Sequence, residues 1–273
     1  MSAQQPSIAF SGNIPANYDQ YLGPLFFEPF SLDVAQRISV LKPRKVLEVA
    51  GGTGRLTRHL AESLPATSEI FATDLNPAMV SFAKEHLNRY DNIRWDVVDA
   101  VSLPYRDQTF DCIVSQFGVM FYSDRPAAYA EALRTLKPGG VFLFTAWDEI
   151  QVNPAALLTH QALAHFFPVD TPAFYQVPFS YFDEHLVRYD LAKAGFEQVH
   201  SMTLQLTGFS DTAENAAVGL LEGTPAYTAI VERDATLLKP LRQYLAAELS
   251  RQFGAENLHV PLQARLYMAM RNA

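Results

Sequence analysis

Between Lys45 and Trp147, short runs rich in β-branched and aromatic residues alternate with segments of helical period. KVLEVA, EIFATD, IRWDVVD, FDCIVSQ and GVFLFTAW read as strands, and RLTRHLAESL, PAMVSFAKEHLNRY and RPAAYAEALRTL as the helices between them. Such strand-helix-strand units build a parallel sheet covered by helices, which makes the chain an α/β protein. Asn76 and Pro77 mark a helix start, as cap and first helical residue. Leu136 to Gly140, LKPGG, marks the end of the third helix, since Pro138 cannot continue it and glycine tolerates a left-handed turn.

Beyond residue 150 the pattern loosens. PAALLTHQALAHFF reads as a helix and FPVDTPAFYQVPFSYF as an aromatic, proline-stiffened loop. DEHLVRYDLAKAGF reads as a helix closed by Gly195, EQVHSMTLQL as a strand and PLQARLYMAMR as a last strand. About fifty helical residues, 208–258, separate these two strands, an insertion that either covers the site or makes a homodimer contact. The first thirty residues carry aromatics and turn formers, as expected of a segment that wraps onto the body. No repeat or linker divides the chain, so one domain is expected over 1–273. Within it we distinguish an N-terminal helical cap (1–43), a core (44–148), a lid insertion (149–182) and a C-terminal part (183–273).

Composition narrows the partners. With 21 Lys and Arg against 29 Asp and Glu, the formal charge of −8 and the lack of any basic run argue against nucleic acid. The single cysteine, Cys112, permits no internal disulfide and lies in an apolar strand pattern, as a buried residue would. No signal segment and no membrane-length apolar run is present, so the cytoplasm is the default expectation. No metal site is expected either: His160 and His165, five residues apart on one helix, point about 140° from each other.

The chemistry concentrates after KVLEVA. Gly51, Gly52 and Gly54 permit a tight turn and let a ligand touch bare backbone, at the strand end where parallel sheets bind ligands. Roughly twenty residues later Asp74 ends the second strand, placed to accept both hydroxyls of a ribose. A dinucleotide loop needs a third glycine where Thr57 stands, which weighs against a nicotinamide enzyme.

Glu48-Val49-Ala50-Gly51-Gly52-Thr53-Gly54 instead resembles the E/D-x-G-x-G-x-G signature of class I S-adenosylmethionine-dependent methyltransferases, with Ala50 in place of the leading glycine. TDLNPAMV, DVVDAVSLPYRDQTFDCIV and SQFGVMFYSDRPAAYAEALRTLKPGG follow in that family's order and spacing. The likeness covers residues 44–147, extends more loosely over Tyr18 to Leu41, and points to the ubiquinone/menaquinone C-methyltransferase-like "type 11" small-molecule subgroup. It implies a Rossmann-like, doubly wound, mostly parallel seven-stranded sheet with helical lid insertions, and S-adenosylmethionine as cofactor.

By the same resemblance Asp74 holds the ribose, with Leu75 beside it and Met79 near the adenine. Asp99 accepts the adenine amino group and the Ala100 N–H donates to the ring. Glu48 either meets the cofactor's amino group or orders the loop. Tyr18 and Tyr21 close over its methionine end, and Gln116 and Phe117 flank it past the fourth strand.

Met120, Phe121 and Trp147, joined from the lid by Phe174 and Tyr175, are the expected pocket for a small aromatic or lipophilic acceptor. His160 and His165 are the candidate bases, should the acceptor need to lose a proton. The function expected is methyl transfer to O, N or C by in-line displacement. A catalytically silent S-adenosylmethionine-binding regulatory or scaffolding protein is the alternative. A nucleic-acid or protein methyltransferase is disfavoured by the acidic charge and by SQFG where an N/D-P-P-Y/F motif would stand.

Overall fold

In the computed structural model, which describes residues 14–272, each of the five runs becomes a strand: β1 (Lys45–Val49), β2 (Glu69–Asp74), β3 (Ile93–Val97), β4 (Phe110–Gln116) and β5 (Leu136–Trp147). The helices between them are α3 (Arg55–Ser63), α4 (Pro77–His86) and α5 (Arg125–Thr135), preceded by α1 (Ile14–Asn17), a π-helical segment Tyr18–Phe27 and α2 (Glu28–Leu41). After β5 come α6 (Pro154–Phe166), α7 (Glu184–Ala194), β6 (Gln198–Thr212), α8 (Ala213–Glu222), α9 (Ala226–Asp234), α10 (Leu238–Phe253) and β7 (Glu256–Met270). The seven strands lie in the order β3-β2-β1-β4-β5-β7-β6. β1 to β5 run parallel, and β7 is antiparallel to both of its neighbours. Strand order therefore reverses between β1 and β4, where a doubly wound sheet leaves a crevice at its carboxyl edge.

Local chemistry sets the element ends. The Asn76 side chain accepts the Ala78 N–H at 2.9 Å and Pro77 follows, so α4 starts where the sequence placed it. Asp124 and Asp183 cap α5 and α7 in the same way, and Gly195, at φ 101°, closes α7. The LKPGG segment differs from expectation in one respect: α5 stops at Thr135, and Leu136 already pairs with Phe110 as part of β5. Gly139, at φ 75°, makes the left-handed turn.

β6 and β7 are longer than their sequence patterns. Gly208 pairs with Val260 and Ser210 with Leu258, so the ladder continues through residues assigned to the insertion, which narrows from 208–258 to 213–255. Glycine and polar residues obscure the alternation there. Gly208 has a packing reason: a Cβ on it would fall 1.7 Å from the Leu25 carbonyl oxygen. That contact lays the π-helical segment on β6, so residues 14–41 wrap the body. Residues 1–13 of that N-terminal stretch lie outside the described residues.

The interior is aromatic. Tyr129 stacks on Phe144 at 5.5 Å and Phe144 on Tyr267 at 5.0 Å, joining α5, β5 and β7. Cys112 is buried, and burial pushes its thiol up to about 12, as befits an inert core residue. Among the described residues no helix is long and apolar enough to cross a membrane. No group of three or more His, Cys, Asp and Glu side chains is arranged there to hold a metal ion.

Candidate active site

β1 delivers the chain to a loop of unusual backbone. Ala50 (φ 59°), Gly52 (φ 58°) and Gly54 (φ 84°) all lie in the left-handed region. An alanine there costs roughly 1 kcal/mol relative to glycine. A glycine elsewhere accommodates its methyl: a Cβ on Gly118 would sit 2.5 Å from the Ala50 Cβ. The small-for-small exchange in the signature is thus matched across the crevice. Gly54 is required for another reason, since a Cβ on it would fall 2.7 Å from Leu87 Cδ1. Over Gly52 an added Cβ would meet nothing within 4 Å, so the loop faces open space.

Below the loop, the Glu48 carboxyl is fully buried and accepts the Thr57 hydroxyl at 2.6 Å. Burial pushes Glu48 up to about 8; the Thr57 hydrogen bond opposes the rise and the charge of Asp74 adds to it. Thr57, the residue that breaks the dinucleotide pattern, has a role here as that hydroxyl donor.

Asp74 ends β2 with its Oδ2 accepting the Gly52 N–H at 2.9 Å and its Oδ1 the Asn76 N–H at 2.8 Å. Burial raises its pKa, and the main-chain donors Asn76, Gly52 and Leu75 hold it back. A carboxylate offers about four lone-pair sites, so beside these three donors room remains for a ribose hydroxyl. Next to it Leu75 is 65% exposed and Val97, opposite Asp74 in the β2–β3 ladder, 52% exposed. Met79 is buried on α4. Asp99 is exposed just past β3 with Oδ1 on the Val101 N–H at 3.1 Å, and Ala100 is buried behind it. Bare loop, partly committed carboxylate and exposed apolar side chains together fit an adenosyl group.

Past β4 the crevice becomes a cavity with about 490 Å³ of empty space, part of it open to solvent. Phe117 (φ 54°) turns its ring onto Trp147 at 3.9 Å, nearly parallel. Tyr18, Phe121, Trp147, Phe174 and Tyr175, all named from the sequence, line the cavity with Phe117. Leu22, Phe26, Phe27, Pro178, Phe179 and Thr224 complete the lining and were not singled out. Burial raises the Tyr18 hydroxyl's pKa, with the Asp74 charge adding to the effect, and the next residue, Asp19, accepts the Thr53 hydroxyl of the glycine loop at 2.9 Å. Gln116 donates to Phe27 O at 3.2 Å and Ser31 Oγ at 2.9 Å, tying β4 to the cap instead of facing the cavity.

Other expected residues lie elsewhere. Tyr21 packs on Gly219 of α8, and Met120 is buried without lining the cavity. Asp148, just past β5, is buried, with Oδ2 accepting Gln263 Nε2 of β7 at 2.9 Å. Neither candidate base reaches the cavity. α6 packs along α10, so His165 is exposed and stacks on Tyr244 at 5.1 Å. His160 keeps a buried Nδ1 with no hydrogen-bond partner.

A doubly wound sheet whose first strand ends in a glycine loop, with Asp74 after the second, defines a Rossmann-like methyltransferase fold. Residues 46–140 match the methyltransferase domain family model. The ubiquinone/menaquinone biosynthesis C-methyltransferase of Saccharophagus degradans is 36% identical over 110 residues, 39% of this chain and 44% of that one. The chain spans about half the length of the relatives it matches.

Among solved structures, phosphoethanolamine N-methyltransferase 2 of Haemonchus contortus, in complex with S-adenosyl-L-methionine, superposes with a TM-score of 0.59 at 18% identity over 95% of this chain and 57% of that one. The YcgJ protein of Bacillus subtilis does so with 0.58 at 18% identity over 89% and 99%. These two likenesses concern the fold.

Proposed function

We propose that the protein binds S-adenosylmethionine at the carboxyl edge of β1 to β4 and transfers its methyl group to a small, uncharged aromatic or lipophilic acceptor in the adjoining cavity. The observation that carries this reading is the position of that cavity: its lining includes Phe117 just past β4, whose neighbour Gly118 lies against Ala50, and Tyr18, whose neighbour Asp19 bonds to Thr53 of the glycine loop. When bound, the cofactor supplies an electrophilic methyl carbon, so no covalent protein intermediate is needed.

The chain's own residues bind, orient and exclude water. Asp74 takes the ribose hydroxyls, Leu75 and Met79 the adenine faces, and Asp99 and the Ala100 N–H the adenine edge. Gly51, Gly52 and Gly54 admit the cofactor chain, Glu48 braces the loop through Thr57, and Tyr18 and Phe117 stand at the methyl donor's side.

Nine of the twelve lining residues are aromatic, and none is Asp, Glu, Lys, Arg or His. A carboxylate or phosphate at the reacting end would be buried there without a partner, at a cost of several kcal/mol. Apolar walls therefore favour a neutral acceptor, aligned by ring contacts and shielded from water. Incubation with S-adenosylmethionine and a panel of phenols, quinols, amines and their anionic analogues, followed by S-adenosylhomocysteine release, tests the reading. Turnover confined to uncharged acceptors is expected. Tight cofactor binding with no turnover on any of them would point to the silent alternative.

A further inference from the structure

Asp19 follows Tyr18 of the cavity wall and reaches the glycine loop. Its Oδ1 accepts the Thr53 hydroxyl at 2.9 Å and Arg55 Nη2 at 3.0 Å, and the same nitrogen donates to the Asp19 carbonyl. Thr53 lies inside the loop, between the two left-handed glycines, and Arg55 opens α3 just after it. Through Nη1, Arg55 also donates to Glu28 Oε2 at 2.6 Å. The guanidinium spans the π-helical segment from start to end and lies over Gly23, where a Cβ would fall 2.2 Å from Nη2.

This segment needs the support. π-helical geometry is rarely sustained for ten residues, and Pro24 within it donates no N–H. Arg55, 12% exposed, is in turn stabilised only while its carboxylates are present, because a lone buried guanidinium is costly. What the segment presents to the cavity is Tyr18, Leu22, Phe26 and Phe27.

We propose that Asp19 is a positioning residue that ties the conformation of the glycine loop to the cavity wall Tyr18–Phe27, so that the wall settles on a filled loop and the acceptor binds second. The inference rests on the cofactor reading above. A ligand that orders the loop fixes the Thr53 hydroxyl and lowers the entropic cost of docking Asp19 on it. By reciprocity, a docked wall tightens the loop's hold on the cofactor.

Hydrogen exchange across residues 18–27, with and without S-adenosylhomocysteine, tests this alongside calorimetric Kd values. In the native protein S-adenosylhomocysteine slows exchange in that segment. Asp19→Ala abolishes the slowing and weakens binding about tenfold, the scale of one lost charge-assisted bond. Asp19→Asn, which keeps an acceptor for Thr53 but no charge for Arg55, falls between. Thr53→Val leaves the ion pairs intact and serves if Asp19→Ala does not fold; it reduces the slowing and raises Kd roughly threefold. Undiminished slowing in a folded Asp19→Ala or Thr53→Val protein overturns the coupling while leaving the cofactor reading intact. Absence of any heat with S-adenosylhomocysteine in the native protein overturns both.

Discussion

The Asp74 carboxylate and the Gly52 N–H, 22 residues apart, are joined by a 2.9 Å hydrogen bond. Loop and carboxylate therefore form one unit: the group proposed to hold the ribose also holds the glycine turn. Asp74→Ala removes both functions. S-adenosylhomocysteine binding is expected to weaken by roughly 1.5–3 kcal/mol, the scale of hydrogen bonds to a charged group. Calorimetry checks this, and an unchanged Kd would refute the ribose assignment.

Glu48 predicts a pH dependence of stability. Its folded-state pKa, about 8, lies above the ordinary carboxylate value, so in that interval the native state keeps a proton that the unfolded chain has released. Stability must then fall as pH rises from the ordinary carboxylate range towards about 8. Glu48→Gln cannot ionise and should show a flatter decline over the same window. Denaturant midpoints of the two proteins at several pH values make the comparison. Parallel declines would mean that Glu48 is already ionised in the fold.

Ala50 and Gly118 should be energetically coupled. Gly118→Ala alone places a Cβ 2.5 Å from the Ala50 methyl and is expected to destabilise by about 1–3 kcal/mol. Ala50→Gly alone should be neutral or stabilising by up to roughly 1 kcal/mol, since it relieves a left-handed alanine. In the double variant part of the stability lost to Gly118→Ala is recovered. A double-mutant cycle that sums to zero would show that the two sites do not share this space.

Gly208→Ala tests the seat of the cap on β6. With the Leu25 carbonyl oxygen 1.7 Å from the new Cβ, backbone must move, and a loss of at least about 1–3 kcal/mol is expected. Chemical denaturation measures it. Faster exchange should appear in residues 18–27 before β1 or β4, because the clash strikes the cap and not the central sheet.

Much of the fold was legible because its signals are short-range. Val46 and Leu47 of β1, or the Asn76–Pro77 start of α4, act within a few residues of themselves, through strand propensity and capping. The parallel order from β1 to β5 follows from strands separated by helices. The positions proposed for the cofactor were equally readable as positions: Gly51, Gly52, Gly54 and Asp74 stand at strand ends and Asp99 just past one, and strand ends in such a sheet converge.

The cavity was legible only in part, and distance along the chain is the reason. Phe27 meets Phe117 at 5.8 Å and Trp147 at 6.2 Å, and Thr224, from the insertion between β6 and β7, closes the same cavity. No periodicity near Phe26, Phe179 or Thr224 separates a cavity wall from ordinary core, since both are apolar and both are buried. His160 and His165 looked eligible as bases by residue type, yet helix α6 docks on α10 and carries them away. By itself, then, the sequence determined the sheet, the glycine turn and the carboxylates that serve it, because backbone geometry and local hydrogen bonds specify those. Only the tertiary structure decided which aromatic rings share a cavity and which carboxylate latches the cap, because those are contacts between segments that meet only once the chain has packed.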